Sequence, residues 1–295
     1  MPAINKIILG TVQLGIPYGI NNKAGMLAVE DAIELLYTAY DEGLRILDTA
    51  EAYGKAQEII GIYHKRFPNK RFNVITKYSS HFQAGQVSPN IADNIYRDIE
   101  ELNIESLWGY MFHNYSDYKS NRNNLNSLTN LKHTGTIKKI GVSLYTNEEL
   151  EDIIKDEQID FIQLPFNLLD NFNHRGYLIQ KAKNKGKEIH IRSVFLQGLF
   201  FKSSDDLPDK LIPLRPYLSC IEKLATVNEL GINHLALAYA VQQKSIDKVL
   251  IGVDTTKHLK ENISLLHHTI SDEIIQAVNK LKVEEIELLN PVNWN

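Results

Sequence analysis

The segment LDTAEAYG, Leu47 to Gly54, places a carboxylate, Asp48, and a phenol, Tyr53, five positions apart where an apolar run ends. In a barrel of alternating strands and helices, side chains just past the C-terminal end of a strand line one pocket. The two groups then read as an acid-base pair. The plainer reading is that Asp48 caps a helix beginning near Ala56 and that Tyr53 is simply half buried. Lys77 and His113 stand at or just after the ends of the next two apolar runs. Singly, Lys77 is a solvated charge and His113 a loop histidine; jointly, the four complement one another. A phenol is a weak acid, with a reference pKa of about 10. A neighbouring ammonium favours the phenolate, so Lys77 is expected to lower that pKa, with Asp48 pairing to Lys77 and fixing it. His113 would donate a hydrogen bond to a substrate oxygen. The set suits proton transfer to a carbonyl oxygen, worth about 10²- to 10⁴-fold in rate. It holds no electron source.

Such groups converge only if the elements carrying them are parallel strands with a common polarity. Strands are predicted over Ile7 to Thr11, Leu44 to Thr49, Phe72 to Lys77, Ser106 to Phe112, Ile137 to Ser143, Phe161 to Pro165, Ile189 to Val194 and Lys248 to Gly252. Between them run helical patterns over Val29 to Glu42, Ala56 to Arg66, Asn90 to Leu102, Asn124 to His133, Asn147 to Lys155, Arg175 to Lys185, Tyr217 to Leu230 with His234 to Gln243, and Lys257 to Leu266. Gly43, Gly135, Gly186 and Gly231 follow helical runs, where a left-handed residue ends a helix. Strict alternation predicts an α/β fold with a closed, parallel eight-stranded (β/α)8 TIM barrel; an open doubly wound sheet is the alternative. Extended loops at 113–123 and 195–213 would lie over the C-terminal face. A last helix, Asp272 to Leu288, leads into an irregular tail containing Trp294, which is expected either to fold over the barrel mouth or to fray.

A chain of 295 residues accommodates such a barrel as a single domain over 1–295. Net charge is −4, with acids and bases interleaved, so no basic face points to nucleic acid or an anionic membrane. No leader or membrane-length apolar run is evident, and the single cysteine excludes an internal disulfide. These features predict a cytoplasmic protein acting on small molecules. The histidines lack metal-enclosing spacing, Gly-x-Ser-x-Gly is absent, and the paired acids Asp205-Asp206 and Glu284-Glu285 read as solvated charges. Two Asn-x-Ser matches, at Asn114 and Asn262, read as chance without a secretion signal.

Nearly the whole chain resembles the aldo-keto reductases, NAD(P)-dependent barrel enzymes that reduce carbonyl groups. The likeness runs from LGTVQLG (Leu9 to Gly15) through LDTAEAYG, ITK, FH, GVS, IQLPFN and RSVFLQG to the KENI segment ending at Ile263. It implies that Asp48, Tyr53, Lys77 and His113 form the family's catalytic tetrad, and that the missing electrons come from NADPH or NADH. It also implies that Gly10, Thr11 and Asp48 lie along the dinucleotide, Ser143 and Gln163 bind the carboxamide, and Ser193 to Gly198, including Phe195 and Gln197, follow the pyrophosphate. Ile251, Gly252, Asp254, His258, Glu261 and Asn262 would surround the far ribose and adenine. Dinucleotide binding without a GxGxxG loop agrees with this family.

Three departures stand out. Leu144 replaces an Asn that helps bind the carboxamide in many members. Arg192 stands where some branches stack an aromatic ring on the nicotinamide; its charge disfavours the oxidised cation, which favours the direction of reduction. Asp254 lies where NADPH-preferring members carry a base; it would repel a 2′-phosphate and accept from a free ribose hydroxyl. Lys257 partly offsets it, and NADH use at least comparable to NADPH is expected. The polar residues Asn114, Ser116, Asp117, Arg122 and Asn123 favour a hydrophilic carbonyl substrate. A second reading keeps the barrel as a redox-sensing, non-catalytic regulatory protein that binds nicotinamide. A third makes Lys77 a Schiff-base lysine in an unrelated barrel.

Overall fold

A computed structural model describes residues 3–22, 25–80 and 90–294. Eight strands, β1 (Ile7–Gly10), β2 (Ile46–Asp48), β3 (Asn73–Tyr78), β4 (Gly109–Phe112), β5 (Ile140–Ser143), β6 (Phe161–Pro165), β7 (Glu188–Arg192) and β8 (Lys248–Gly252), pair in chain order, all parallel. Pairing of β8 with β1, from Ile7 beside Val249 to Gly10 beside Gly252, closes the barrel and excludes the open sheet. Strand β6 matches its predicted bounds, whereas β4 and β5 begin three residues later than expected because Leu107 and Ile137 make only an isolated bridge.

Alternation along each strand divides the apolar residues between two layers. Ile8, Ile46, Ile75, Met111 and Phe161 fill the barrel, with Trp108 and Leu250 against them. Gly141 makes this filling possible, since a Cβ there would fall well inside contact distance of the Phe161 ring. The other layer packs outward against the helices. In the helix Ile91–Leu102, the buried residues Ile91, Ile95, Asp98 and Leu102 recur at helical spacing, and Asn90 caps the first turn by accepting from Ala92 N.

Helix ends follow local chemistry. Gly43, Gly135 and Gly186 take the left-handed conformation as expected, with φ of 99°, 80° and 79°. Gly231 does not: it precedes the helix Ile232–Gln242 with φ −70°, and Glu229 takes the left-handed turn at φ 54°. The last helix is also shorter than predicted, Asp272–Asn279. Asn171 explains the stop, for its Nδ2 donates to the carbonyls of Val278 and Leu281, both at 2.9 Å. Two short helices are not among the predicted elements: Val12–Gly15, and Tyr115–Ser120 within the stretch 113–123 expected as a loop. No helix among the described residues is long and apolar enough to cross a membrane.

Candidate active site

Parallel closure brings eight strand ends to one rim, and the rim surrounds a cavity of about 690 Å³. Asp48 ends β2, Lys77 is the penultimate residue of β3, His113 follows β4, and Tyr53 reaches in from the turn after β2. Asp48 and Lys77 are each 2% exposed and form an ion pair. Lys77 Nζ also donates to the Thr49 carbonyl at 2.8 Å and reaches the Tyr53 hydroxyl at 3.3 Å. Gln163 Nε2 donates to the second Asp48 oxygen at 2.8 Å. Both carboxylate oxygens are thus engaged in the site, and Asp48 caps no helix.

Opposing effects, the largest being burial and the charge of Lys77, act on the Tyr53 phenol. Its burial raises the pKa above the ordinary tyrosine value, and the Lys77 ammonium pulls in the opposite direction. Burial wins, so the expected net lowering by Lys77 is corrected: the phenol is held protonated. For Lys77, burial disfavours the charge, but Asp48 and Tyr53 outweigh it and raise the pKa. His113 packs its ring edge-on to Tyr53, with centroids 5.7 Å apart. Loss of solvent, with the positive charges of Lys77 and Arg192, pushes His113 down to about 3, so its imidazole is neutral. Its buried Nδ1 has no hydrogen-bond partner.

Backbone geometry fixes the turn that carries Tyr53. A Cβ on Gly15 would fall well inside contact distance of the Tyr53 carbonyl and 2.6 Å from Ala56 N. Only glycine lets the helix Val12–Gly15 close against that turn. Gly54 takes φ 54° at the same contact. Behind the turn, Glu51 accepts from the Tyr110 hydroxyl at 3.1 Å, and Arg97 lies 3.7 Å from both Glu51 and the fully buried Asp98. Burial, then the neighbouring Glu51, raises the Asp98 carboxyl well above its usual range.

The other residues assigned from sequence to a dinucleotide also line the cavity, except Leu196 of the run Ser193 to Gly198, which is fully buried off the wall: Gly10, Thr11, Ser143, Gln163, Arg192, Ser193, Phe195, Gln197, Gly198, Ile251, Gly252, Asp254, His258, Glu261 and Asn262. Ser143 and Gln163 are register partners across β5 and β6. The stretch after β7 is unusual, with positive φ at Ser193, Leu196, Gln197 and Gly198. It is stitched to the loop after β1 by Ile20 N donating to Gln197 O at 3.0 Å and Asn21 Nδ2 donating to Gly198 O at 2.7 Å. Backbone strain of this kind persists only where the surroundings hold it.

Other placements differ from expectation. Of the stretch 113–123, only His113 lines the cavity. Asn114 instead caps the helix Tyr115–Ser120, and Arg122 faces Asp156 at 3.5 Å. Their polarity serves the fold and carries no information on substrate. Lys257 points outward, 82% exposed and 3.8 Å from Glu261, and so does not offset Asp254 in the cavity. Leu144 is fully buried and contributes its carbonyl to Arg192 at 3.2 Å.

Sequence reasoning missed Gln13, Tyr18, Tyr145, Phe201, Asn233 and Val292 on the cavity wall. Tyr145 had a signal, lying two residues beyond the end of β5. Asn233, near the start of a helix, had none, while Val292 lies in the tail for which folding over the barrel mouth is one of the two expectations. Burial, with the neighbouring Tyr53 adding to it, pushes Tyr18 up to about 12.

Three buried polar atoms without hydrogen-bond partners, Gln13 Oε1, His113 Nδ1 and Asp254 Oδ1, belong to residues of this wall. Orphaned groups on a cavity wall fit a polar ligand that supplies their missing bonds. The aldo/keto reductase family model matches residues 6–283. The chain belongs to that family. It is accordingly an NAD(P)-dependent oxidoreductase, of a family whose chemistry is carbonyl reduction. The chain is 24% identical over 280 residues to the aldo-keto reductase str7 of Strobilurus tenacellus, covering 88% of this chain and 83% of that one. To the aldo-keto reductase YhdN of Bacillus subtilis it is 23% identical over 302 residues, covering 94% and 89%. Among solved structures, an aldo-keto reductase of Bacillus halodurans superposes with a TM-score of 0.77 at 17% identity, over 94% of this chain and 92% of that one. The glycerol dehydrogenase of Gluconobacter oxydans gives 0.73 at 19%, over 94% and 90%. Both structural likenesses bear on the fold.

Proposed function

We propose that this reductase converts an aldehyde, ketone or sugar-derived carbonyl to the alcohol, with Tyr53 as proton donor and with NADH used at least comparably to NADPH. The observation that carries the reading is the continuous contact from Asp48 through Lys77 to the Tyr53 hydroxyl. Tyr53 is held protonated by its surroundings and gives its proton to the carbonyl oxygen. Lys77 stabilises the phenolate left behind, and Asp48, fixed by Gln163, keeps the ammonium in place. Neutral His113 donates from Nε2 to the same carbonyl oxygen and orients it.

When bound, the nicotinamide supplies the hydride that these side chains lack. The residues that would hold its carboxamide are Ser143 and Gln163, whose Oε1 remains for an amide donor while Nε2 serves Asp48. Gly10, Thr11 and Ser193 to Gly198 would flank the dinucleotide, with Glu261 and Asn262 at the adenine. Asp254 would accept from a ribose hydroxyl, satisfying its unpartnered oxygen.

Tyr53→Phe tests the assignment. Fluorescence titration should show NADH affinity retained, while kcat on simple aldehydes falls by about 10²- to 10⁴-fold. An unchanged kcat would remove Tyr53 from the proton transfer. Tight cofactor binding by the native protein with no turnover of an aldehyde and keto-sugar panel would favour the regulatory reading instead.

A further inference from the structure

Among the described residues lining the cavity, tyrosines aside, the acidic and basic side chains are Asp48, Lys77, His113, Arg192, Asp254, His258 and Glu261. Asp48 and Lys77 cancel one another, and His113 is neutral. The acids Asp254 and Glu261 sit on the segment after β8. Arg192, the last residue of β7, is different. No carboxylate among the described residues lies within ion-pair distance of it, and its partners are all uncharged. Its guanidinium lies 4.1 Å from the centre of the Tyr145 ring, and it donates to Leu144 O at 3.2 Å and to Ser193 Oγ at 3.3 Å.

A half-buried charge held only by neutral groups is an incomplete site, because burial removes water and no counter-charge replaces it. Tyr145 covers one face of the plane, and two of the five N–H donors are used, which leaves an edge facing the cavity. A guanidinium edge matches carboxylate and phosphate through paired hydrogen bonds. The location is also informative. The field of Arg192 reaches Tyr53, His113 and Tyr18, the groups at the reacting end of the cavity.

We propose that the carbonyl substrate carries an oxyanionic group, a carboxylate or a phosphate, bound by the edge of Arg192 while the carbonyl oxygen lies at Tyr53. This inference rests on the reductase reading above and narrows its substrate class. Tyr145 is then a positioning residue that holds the guanidinium plane.

The test compares aldehydes that differ only in the anion, with saturating NADH: succinate semialdehyde against butanal, and glyceraldehyde 3-phosphate against glyceraldehyde. For the pair with the preferred anion, kcat/KM should favour the charged member roughly 10- to 100-fold, the worth of a hydrogen bond to a charged group. In Arg192→Gln that ratio should collapse to about one, and in Arg192→Lys it should be intermediate. The ratio is the readout because any loss of cofactor binding affects both members of a pair alike. As a second readout, succinate or inorganic phosphate should raise the Tm of the native NADH complex but not that of the Arg192→Gln complex.

A native ratio near one for both pairs, or a ratio unchanged in Arg192→Gln, overturns the proposal. So does a weaker NADH affinity in Arg192→Gln with no Tm shift by either anion, which would assign the guanidinium to the cofactor's pyrophosphate. Should none of the four aldehydes turn over, the reductase reading fails, while the Tm measurement still decides whether Arg192 is an anion site.

Discussion

Neutral His113 makes the pH dependence of catalysis informative. Loss of solvent and two nearby cations push its pKa down to about 3, so it carries no proton to lose as pH rises through the ordinary histidine range. On the proposed assignment, kcat/KM for carbonyl reduction should show no limb from this residue between about pH 5 and 8. A limb near neutrality that disappears in His113→Gln would contradict it. Asp254 bears on cofactor choice in the same way. Its unpartnered oxygen lies beside the cavity, and Lys257 is turned to solvent. Asp254→Ser should raise kcat/KM with NADPH relative to NADH by about tenfold, because repulsion of the 2′-phosphate is removed. A native preference of a hundredfold for NADPH would already exclude this role for Asp254.

At the scale of elements, the Gly15 contact joins the short helix after β1 to the turn carrying Tyr53. Gly15→Ala forces these backbones apart, and a displacement of about 1 Å at a reacting group can cost on the order of 10² in rate. We expect kcat to fall by that order while far-UV circular dichroism is retained; full activity would show that the turn has slack. The strands were legible because β-rich runs alternate with helical periods, and because their polar end residues repeat on one face. The dinucleotide residues assigned by resemblance lie on the cavity wall, Leu196 excepted. Shorter elements were not legible. Val12–Gly15 has four residues and Tyr115–Ser120 six, too few to display a period. In the stretch 113–123, composition suggested substrate contact, but composition does not say whether Asn114 or Asp117 faces solvent, a helix N-terminus or a cavity. Asn233 reaches the wall by tertiary packing alone, which no local pattern encodes.

Across the whole molecule, buried titratable groups set opposing pH responses. His64 shows how a neutral imidazole is fixed: Nδ1 lies 2.8 Å from Leu102 O, and Nε2 accepts from Phe72 N at 3.2 Å. Burial lowers the pKa of His64, His113 and His190. Their contribution is present above the unfolded histidine value of about 6.5 and is lost as pH falls below it, where the unfolded chain takes up protons. Asp98 acts oppositely. Its raised folded pKa stabilises the acid side, and that contribution is lost as pH rises and the buried carboxylate ionises. Asp98→Asn should therefore raise Tm more at pH 8 than at pH 5, and should steepen the loss of stability on acidification. A Tm difference independent of pH would refute the assignment.

The segment after the last helix belongs to the same whole. Trp294 Nε1 donates to Leu288 O and Asn293 Nδ2 to Glu287 O, each at 2.8 Å, while Val292 lies on the cavity wall. Substrate preference is therefore open to tuning from a residue about 240 positions away in sequence from Tyr53: a larger or a charged side chain at Val292 changes the wall of the reaction chamber without touching the tetrad.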